Sequence, residues 1–310
     1  MEARDAALGA PPLRLRAERR RYGEDVVKGV LALCALISVA TTVGIVVALL
    51  EPSIEFFSEV SPLDFFGGTE WAATFTPARF GVLPLVAGTL AVTAWACLVC
   101  MPLGLGAAIF LSEYAGPRVR RILKPALETL AGIPTVVYGF FALTFFTPLL
   151  GDVGIQVGTF NVLSAGLVMG VMLIPTVASI SEDAMAAVPQ DLRDGAFGLG
   201  ASRLQVSTRI VVPAAISGIV ASYVLAISRA IGETMIVLIA AGGIAQITAD
   251  PRDPMQTMTA FIAATGIGDV PTGSIAYKTI FAVGLTLFVF TLAMNVVAIR
   301  LVRKYREIYE

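Results

Sequence analysis

The chain has 310 residues, of which 56% are hydrophobic and only 15% charged, with a mean hydropathy of +0.82 and a formal net charge of -1. Soluble domains carry about 25% charge, so this is the composition of a membrane protein. The absence of histidine excludes imidazole catalysis and histidine-ligated metal sites, and the near-neutral balance offers no basic surface for nucleic acid.

A hydrocarbon core of about 30 Å needs roughly 20 mostly apolar residues per helical span. Six segments meet that requirement, so the expected fold is all-α and polytopic with six transmembrane helices. Residues 1–25 read as a basic cytoplasmic tail carrying Arg14, Arg16, Arg19, Arg20 and Arg21, with its first dozen residues, including Pro11 and Pro12, disordered. The first span, Val26 to Leu50, is too long for a signal peptide and lacks a small-residue cleavage pattern after it, which predicts a retained anchor. The segment Glu51 to Arg79 mixes Glu51, Glu55, Glu59, Asp64 and Glu70 with Phe56, Phe57, Phe65, Phe66 and Trp71, as a folded outer cap or a lateral interfacial helix would. Residues 26–80 are therefore expected to form a first helix with its external segment, and 81–310 a transmembrane domain.

The second span, Val82 to Leu111, contains Pro84 and Pro102. Its Cys97 and Cys100 sit in an apolar run without a neighbouring acid or base, which makes them packing residues and not a redox or zinc pair. The third, Leu127 to Leu150, is expected to bend at Gly132 and Pro134, and the fourth, Val162 to Ile180, at Pro175. The fifth runs from Ala214 to Ala241 and the sixth from Ile275 to Leu301. The loop between these two, Gly242 to Ser274, is rich in Gly, Pro, Thr and Asp and reads as irregular.

Of the 22 basic residues, 18 fall in the tail, between spans two and three, between four and five, and after six, against Arg79, Arg252 and Lys278 on the other side. Short cytoplasmic loops are enriched in Lys and Arg, so both termini are expected in the cytoplasm of a multi-pass cell-membrane protein.

Between spans four and five lies a polar stretch, residues 182–213, too patterned to be a spacer. Leu192, Ala196 and Leu199 form one apolar stripe, Gly200 can end that helix, and Ser202 can cap a second one starting near Arg203. By pattern alone this helix, corner and helix can lie on the membrane or cover the ends of its own bundle. The stretch resembles the EAA loop of ABC importer permeases: Asp194, Gly195 and Ala196 stand at the EAA positions, Gly200 follows at the family's spacing, and Ile210 and Pro213 close the motif. The departures are Asp for Glu, Gly for Ala and Val for Leu. The resemblance implies a MetI-like type I importer fold in which Asp194 to Pro213 docks on a cytosolic ATPase. No GxxxxGK[ST] phosphate-cradling loop occurs in the chain, so ATP hydrolysis is expected on a separate subunit, with no catalytic residue, metal or cofactor here.

In span five, Arg229 and Glu233 are the only charges. An intramembrane Arg costs about 2.5 to 3.5 kcal/mol on insertion scales and usually faces a bundle interior or a path. Four residues apart, the two can pair on one helical face, either locking helix packing or handing an anion between them in transit. Ser228, Thr234, Thr135 and Tyr138 can add hydroxyl donors to such a path, or bond to neighbouring backbone. The stretch from Arg229 to Met235 resembles the RALGETM segment of the phosphate importer permeases. Ser112-Glu113-Tyr114 and Leu130 to Gly139 are similar to their SEYA and LAGIPSVVYG segments. Met235, the basic tail and GSIAYKTIFAVGLTLFVFT are similar to the PstC branch and not the paralogous PstA. That resemblance implies inorganic phosphate as substrate, a heterodimer with a PstA-like permease, two copies of a PstB-like ATPase beneath, and a PstS-like phosphate-binding protein outside. A permease for another oxyanion, sulfate or molybdate, and a secondary transporter are the alternatives.

Overall fold

The computed structural model describes residues 22–304. The basic tail through Arg21, with its expected disorder, lies outside the described residues. A bilayer offers no water to backbone amides, so apolar runs satisfy their amides within themselves as helices. These are α1 (Tyr22–Glu59), α2 (Pro62–Gly67), α3 (Leu83–Ile109), α4 (Pro117–Ala131), α5 (Thr135–Phe141), α6 (Thr147–Asp152), α7 (Val162–Ala186), α8 (Gln190–Gly198), α9 (Arg203–Val206), α10 (Val212–Ala214), α11 (Ile216–Ile231), α12 (Met258–Ile267) and α13 (Ile275–Lys304). Wider π-helical turns extend α3 through Phe110–Tyr114, join α5 to α6 through Ala142–Phe146, join α9 to α10 through Ser207–Val211, and occupy Val237–Ala241.

Among the described residues five helices are long and apolar enough to cross a bilayer, and a sixth is reached if a bent pair is counted as one span. That pair, Arg203–Ala214 and Ile216–Ile231, turns by 71°. The span boundaries differ from the expected ones where the backbone has a local reason to break. The third span starts at Thr135 and not at Leu127, because Gly132 to Pro134 separate it from the amphipathic α4, none of whose residues is buried. The fifth is not one rod: it bends at Ala215 and breaks again at Gly232. The fourth continues past Ile180 to Ala186 and so carries Glu182, an acid that the expected span excluded.

The chain divides into two units, one ending at Ala48 and the other beginning at Leu49. In the first, Val26, Leu31, Leu36 and Val39 of α1 are all exposed, the character of a helix that is apolar all round. In the second, α3 and α7 form the central pair, and small residues set their separation. A Cβ added to Gly170 would lie 2.6 Å from the Val99 Cβ and 2.8 Å from the Ala96 carbonyl oxygen, and one on Gly166 would lie 2.5 Å from the Trp95 Cβ. Cys100 is buried in this core with Val92, Ala96, Met169 and Met172, in keeping with a packing role.

On one end of the second unit, Phe56, Phe65, Trp71 and Phe261 pack edge-to-face, with centroids 5.5 Å apart for Phe56–Phe65 and 4.9 Å for Trp71–Phe261. The segment after the first apolar run is folded, built from the end of α1, α2, and the short antiparallel ribbon β1 (Trp71–Ala72) and β2 (Arg79–Phe80). Lys278 of α13 ties it down through Glu55 and Glu59, at 3.1 and 3.0 Å. The loop after residue 241 is irregular through Thr257 and again from Gly268 to Ser274; between them the Thr257 hydroxyl accepts from the Ala260 amide at 3.1 Å and starts α12. This helix was not expected. Its Met258 and Phe261 are buried, and the Met258 amide donates to the Thr89 hydroxyl of α3 at 3.1 Å.

Candidate functional site

Glycine 232 ends α11, and the chain restarts as a helix only after Glu233. The Glu233 carboxylate, 8% exposed, accepts from the backbone amides of Met235 and Ile236 at 3.0 and 3.3 Å. It therefore caps the next turn, satisfying amides that have no carbonyl partner at a helix start. Its own carbonyl accepts from the Thr259 hydroxyl of α12 at 2.6 Å, which pins the break to the unit's interior.

The Arg229–Glu233 pairing expected from their spacing does not form. An i, i+4 pair needs continuous helix, and the break after Ile231 removes it. Arg229 instead donates through Nη1 to the Thr176 hydroxyl of α7 at 3.2 Å, and among the described residues it makes no ion pair. Its side chain is exposed on the last turn of α11. The guanidinium is thus held by a neutral oxygen with its charge uncompensated, which an anion can exploit through charge-assisted hydrogen bonds.

The hydroxyls divide between two behaviours. Ser228, beside Arg229, donates to Asn295 Oδ1 of α13 at 3.0 Å. Thr234 bonds only locally, to the Gly232 carbonyl at 3.3 Å. Tyr138 is buried on α5 and donates to the Leu130 carbonyl at 2.8 Å, bridging the Gly132–Pro134 break. Thr135 is half-buried at the start of α5. α5 lies against the far side of the Glu233 break, since a Cβ on Gly139 would meet Ile239 at 3.0 Å and the Met235 carbonyl at 3.2 Å. Thr176 and Asn295 were not singled out in the sequence: a lone hydroxyl or amide in an apolar helix has no local signal that tells a partner of Arg229 from a back-bonded side chain.

If Glu233 acts as a cap and not as a counter-ion, Glu233→Ala costs about 0.5 to 2 kcal/mol, while Glu233→Gln, which keeps an acceptor oxygen, retains most of the stability. Thermal unfolding of the purified variants checks this. A Glu233→Ala, Arg229→Ala double variant should show the sum of the two single effects, whereas a non-additive result would mark an ion pair.

The polar stretch between α7 and α11 folds as the helix, corner and helix expected from its pattern. α8 ends at Gly198, and Gly200 takes φ +85°, a left-handed conformation open to glycine. Ser202 then caps α9 in a reciprocal box: its amide donates to Gln205 Oε1 at 2.8 Å, and its hydroxyl accepts from the Gln205 amide at 3.4 Å. Asp194 and Gly195 are exposed on α8, Ala196 is buried against Met185 and Val188, Ile210 sits in the following π turn, and Pro213 is exposed in α10.

Two polar links tie this region to the spans. Glu182, fully buried on α7, receives Arg120 and Lys124 of α4, the latter at 2.7 Å, and Lys124 also reaches Asp183 at 3.0 Å. Hydrogen bonds to Glu182 and then Asp183 hold the Lys124 ammonium above the usual lysine range. Arg193 of α8 bonds to Glu113 at 3.1 Å and to the Met185 and Val188 carbonyls at 2.7 and 2.5 Å.

Membrane-length helices, an uncompensated guanidinium beside a helix break, and a capped polar loop rooted in the spans together define a membrane transport subunit of the importer-permease class. Residues 101–307 match the model of the binding-protein-dependent transport system inner membrane component family, and the chain belongs to that family. It is 36% identical over 282 residues to the probable ABC transporter permease protein YqgH of Bacillus subtilis, covering 90% of this chain and 91% of that protein. It is 33% identical to the phosphate transport system permease protein PstC of Mesorhizobium japonicum, covering 71% and 72%, and 34% identical to PstC 1 of Mycobacterium tuberculosis, covering 78% and 82%. The fold is similar to that of a chain in the crystal structure of a bacterial alginate ABC transporter, with TM-score 0.64 and 15% identity over 92% of this chain and 98% of that one.

Proposed function

We propose that this chain is the PstC-type permease subunit of an ATP-driven importer of inorganic phosphate. Arg229 carries the proposal: a cation held by the neutral Thr176 hydroxyl keeps its charge for a passing anion, and relatives at about a third identity are phosphate system permeases. Weak, single-cation binding suits a conduit, which must release what it admits. Ser228, Asn295 and Thr176 supply polar neighbours around that cation; Glu233 and Thr234 shape the break; and Thr135 and Tyr138 stand on the helix across it.

In this proposal residues 182–213 are the loop on which a PstB-like ATPase docks, two copies serving a heterodimer with a PstA-like permease, and a PstS-like binding protein delivers phosphate from outside. The termini face the cytoplasm; residues 1–25 form the tail, 26–80 the first helix with its cap, and 81–310 the domain that moves substrate. Radiolabelled uptake by the reconstituted four-component complex, with phosphate, sulfate and molybdate in competition, tests the substrate. Unlabelled phosphate is expected to compete at least ten times more effectively than the other two; a preference for sulfate or molybdate overturns phosphate.

A further inference from the structure

The helix α8 has few holds on the rest of the chain. Along it only Arg193 and Ala196 are buried, while Asp191, Leu192, Asp194, Gly195 and Phe197 are exposed. Ala196 belongs to a buried apolar cluster with Met185 and Val188, whose packing has no direction and tolerates sliding. Arg193 is different in kind. Its guanidinium makes three bonds in a fixed plane: to Val188 O at 2.5 Å, to Met185 O at 2.7 Å, and to Glu113 Oε1 at 3.1 Å. The first two are carbonyls at and just beyond the end of α7, and the Met185 carbonyl also accepts from the Val188 amide at 3.2 Å. The third lies on the π turn that ends α3, and the Ser112 hydroxyl holds the same carboxylate oxygen at 2.8 Å. Both charged side chains are about nine-tenths buried, at 10% and 9% exposure. One side chain on α8 thus grips the ends of α3 and α7, the two helices that are themselves locked together by their glycine contacts.

We infer that Arg193 and Glu113 form a strut that carries displacement of α8 into the α3–α7 pair, making Arg193 a positioning residue for coupling between ATP hydrolysis and transport. The inference rests on the proposal that residues 182–213 receive the ATPase. A buried charge pair suits this role because removing either partner leaves the other uncompensated, so the two ends move together instead of separating. A cavity of about 320 Å³ beside the strut, lined by Ser112, Glu113, Gln190 and Arg193 among others, leaves room for α8 to shift once the strut is cut.

The test uses the full complex in proteoliposomes and reads the number of anions imported per ATP hydrolysed, with whichever anion the wild-type complex imports. Arg193→Gln and Glu113→Gln should melt lower, since each leaves a buried partner unpaired, yet the complex that does assemble should show a ratio at least tenfold lower; Arg193→Lys should recover part of it. Should Arg193→Gln fail to assemble, Glu113→Gln decides, because it leaves both carbonyl bonds of Arg193 in place. A wild-type ratio in Glu113→Gln overturns the strut. So does a wild-type ratio in assembled complex of all the variants whose melting temperature falls, which marks a purely structural pair. A wild-type complex that imports sulfate instead of phosphate overturns the substrate and leaves this measurement intact, whereas a wild-type complex with no ATP-driven import overturns both.

Discussion

Arg229→Gln is expected to lower ATP-driven phosphate uptake by roughly 100-fold or more while leaving the complex assembled. Glutamine ends two bonds short of the Nη1 that reaches Thr176, so that local bond goes with the charge. The lost positive charge is the larger effect. Hydrogen bonds from a charged donor are worth about 1.5 to 3 kcal/mol each, and a factor of ten in rate is about 1.4 kcal/mol; losing the charge of a donor that makes two such bonds to an anion in transit corresponds to roughly 100-fold. Membrane insertion should not suffer, because Arg is among the costliest residues to place in a span and Gln costs less. Uptake should therefore fall without loss of protein, and Arg229→Lys, which keeps the charge but not the planar fork, should fall between. Initial-rate uptake in proteoliposomes, normalised to assembled complex, checks this; near-normal uptake by Arg229→Gln removes Arg229 from the path.

The parts of this arrangement legible in the sequence are those with a local physical signal. Span length is one, because bilayer thickness sets a run of roughly 20 apolar residues that composition reveals. The corner at Gly200 and the cap at Ser202 are another, since turn and capping chemistry act over three or four residues. The breaks were only partly visible. Pro134 announces the interruption that frees α4 from the third span, but a single Gly232 within a run of span length is no breaker comparable to Pro, so a continuous helix was the natural expectation and with it an Arg229–Glu233 pair. The helix α12 was hidden for the opposite reason: ten residues are too few to stand out against flanks rich in Gly, Pro and Asp. Contacts across the sequence were not legible at all. Arg193 and Glu113 stand 80 residues apart, and nothing near either one distinguishes a buried partner from a solvated charge. The same holds for Thr176 and Asn295, whose neighbours in sequence are apolar while their partners lie on α11.

Gly200→Val is expected to uncouple ATP hydrolysis from uptake, and Gly200→Asn to leave coupling near normal. The contrast follows from where the constraint acts. A Cβ at this position meets nothing within 4 Å, so no clash arises; the difficulty is φ +85°. A left-handed backbone costs an ordinary side chain about 1 to 2 kcal/mol, and a β-branched one still more, since φ above zero is a genuine outlier for it. Asn visits that region readily. The strain on Val is relieved by rotating the corner, which redirects α8 relative to α9 and misaligns the exposed face carrying Asp194 and Gly195. Because the corner is surface-exposed, the cost falls on orientation more than on folding, and the core beneath, formed by Ala108, Met185, Val206 and Ile219, remains packed. Co-purification of the ATPase with the permease pair, together with phosphate moved per ATP hydrolysed, separates the outcomes. Loss of either in Gly200→Val with retention in Gly200→Asn places the docking function at this corner, and equal, normal behaviour of both variants removes it from there.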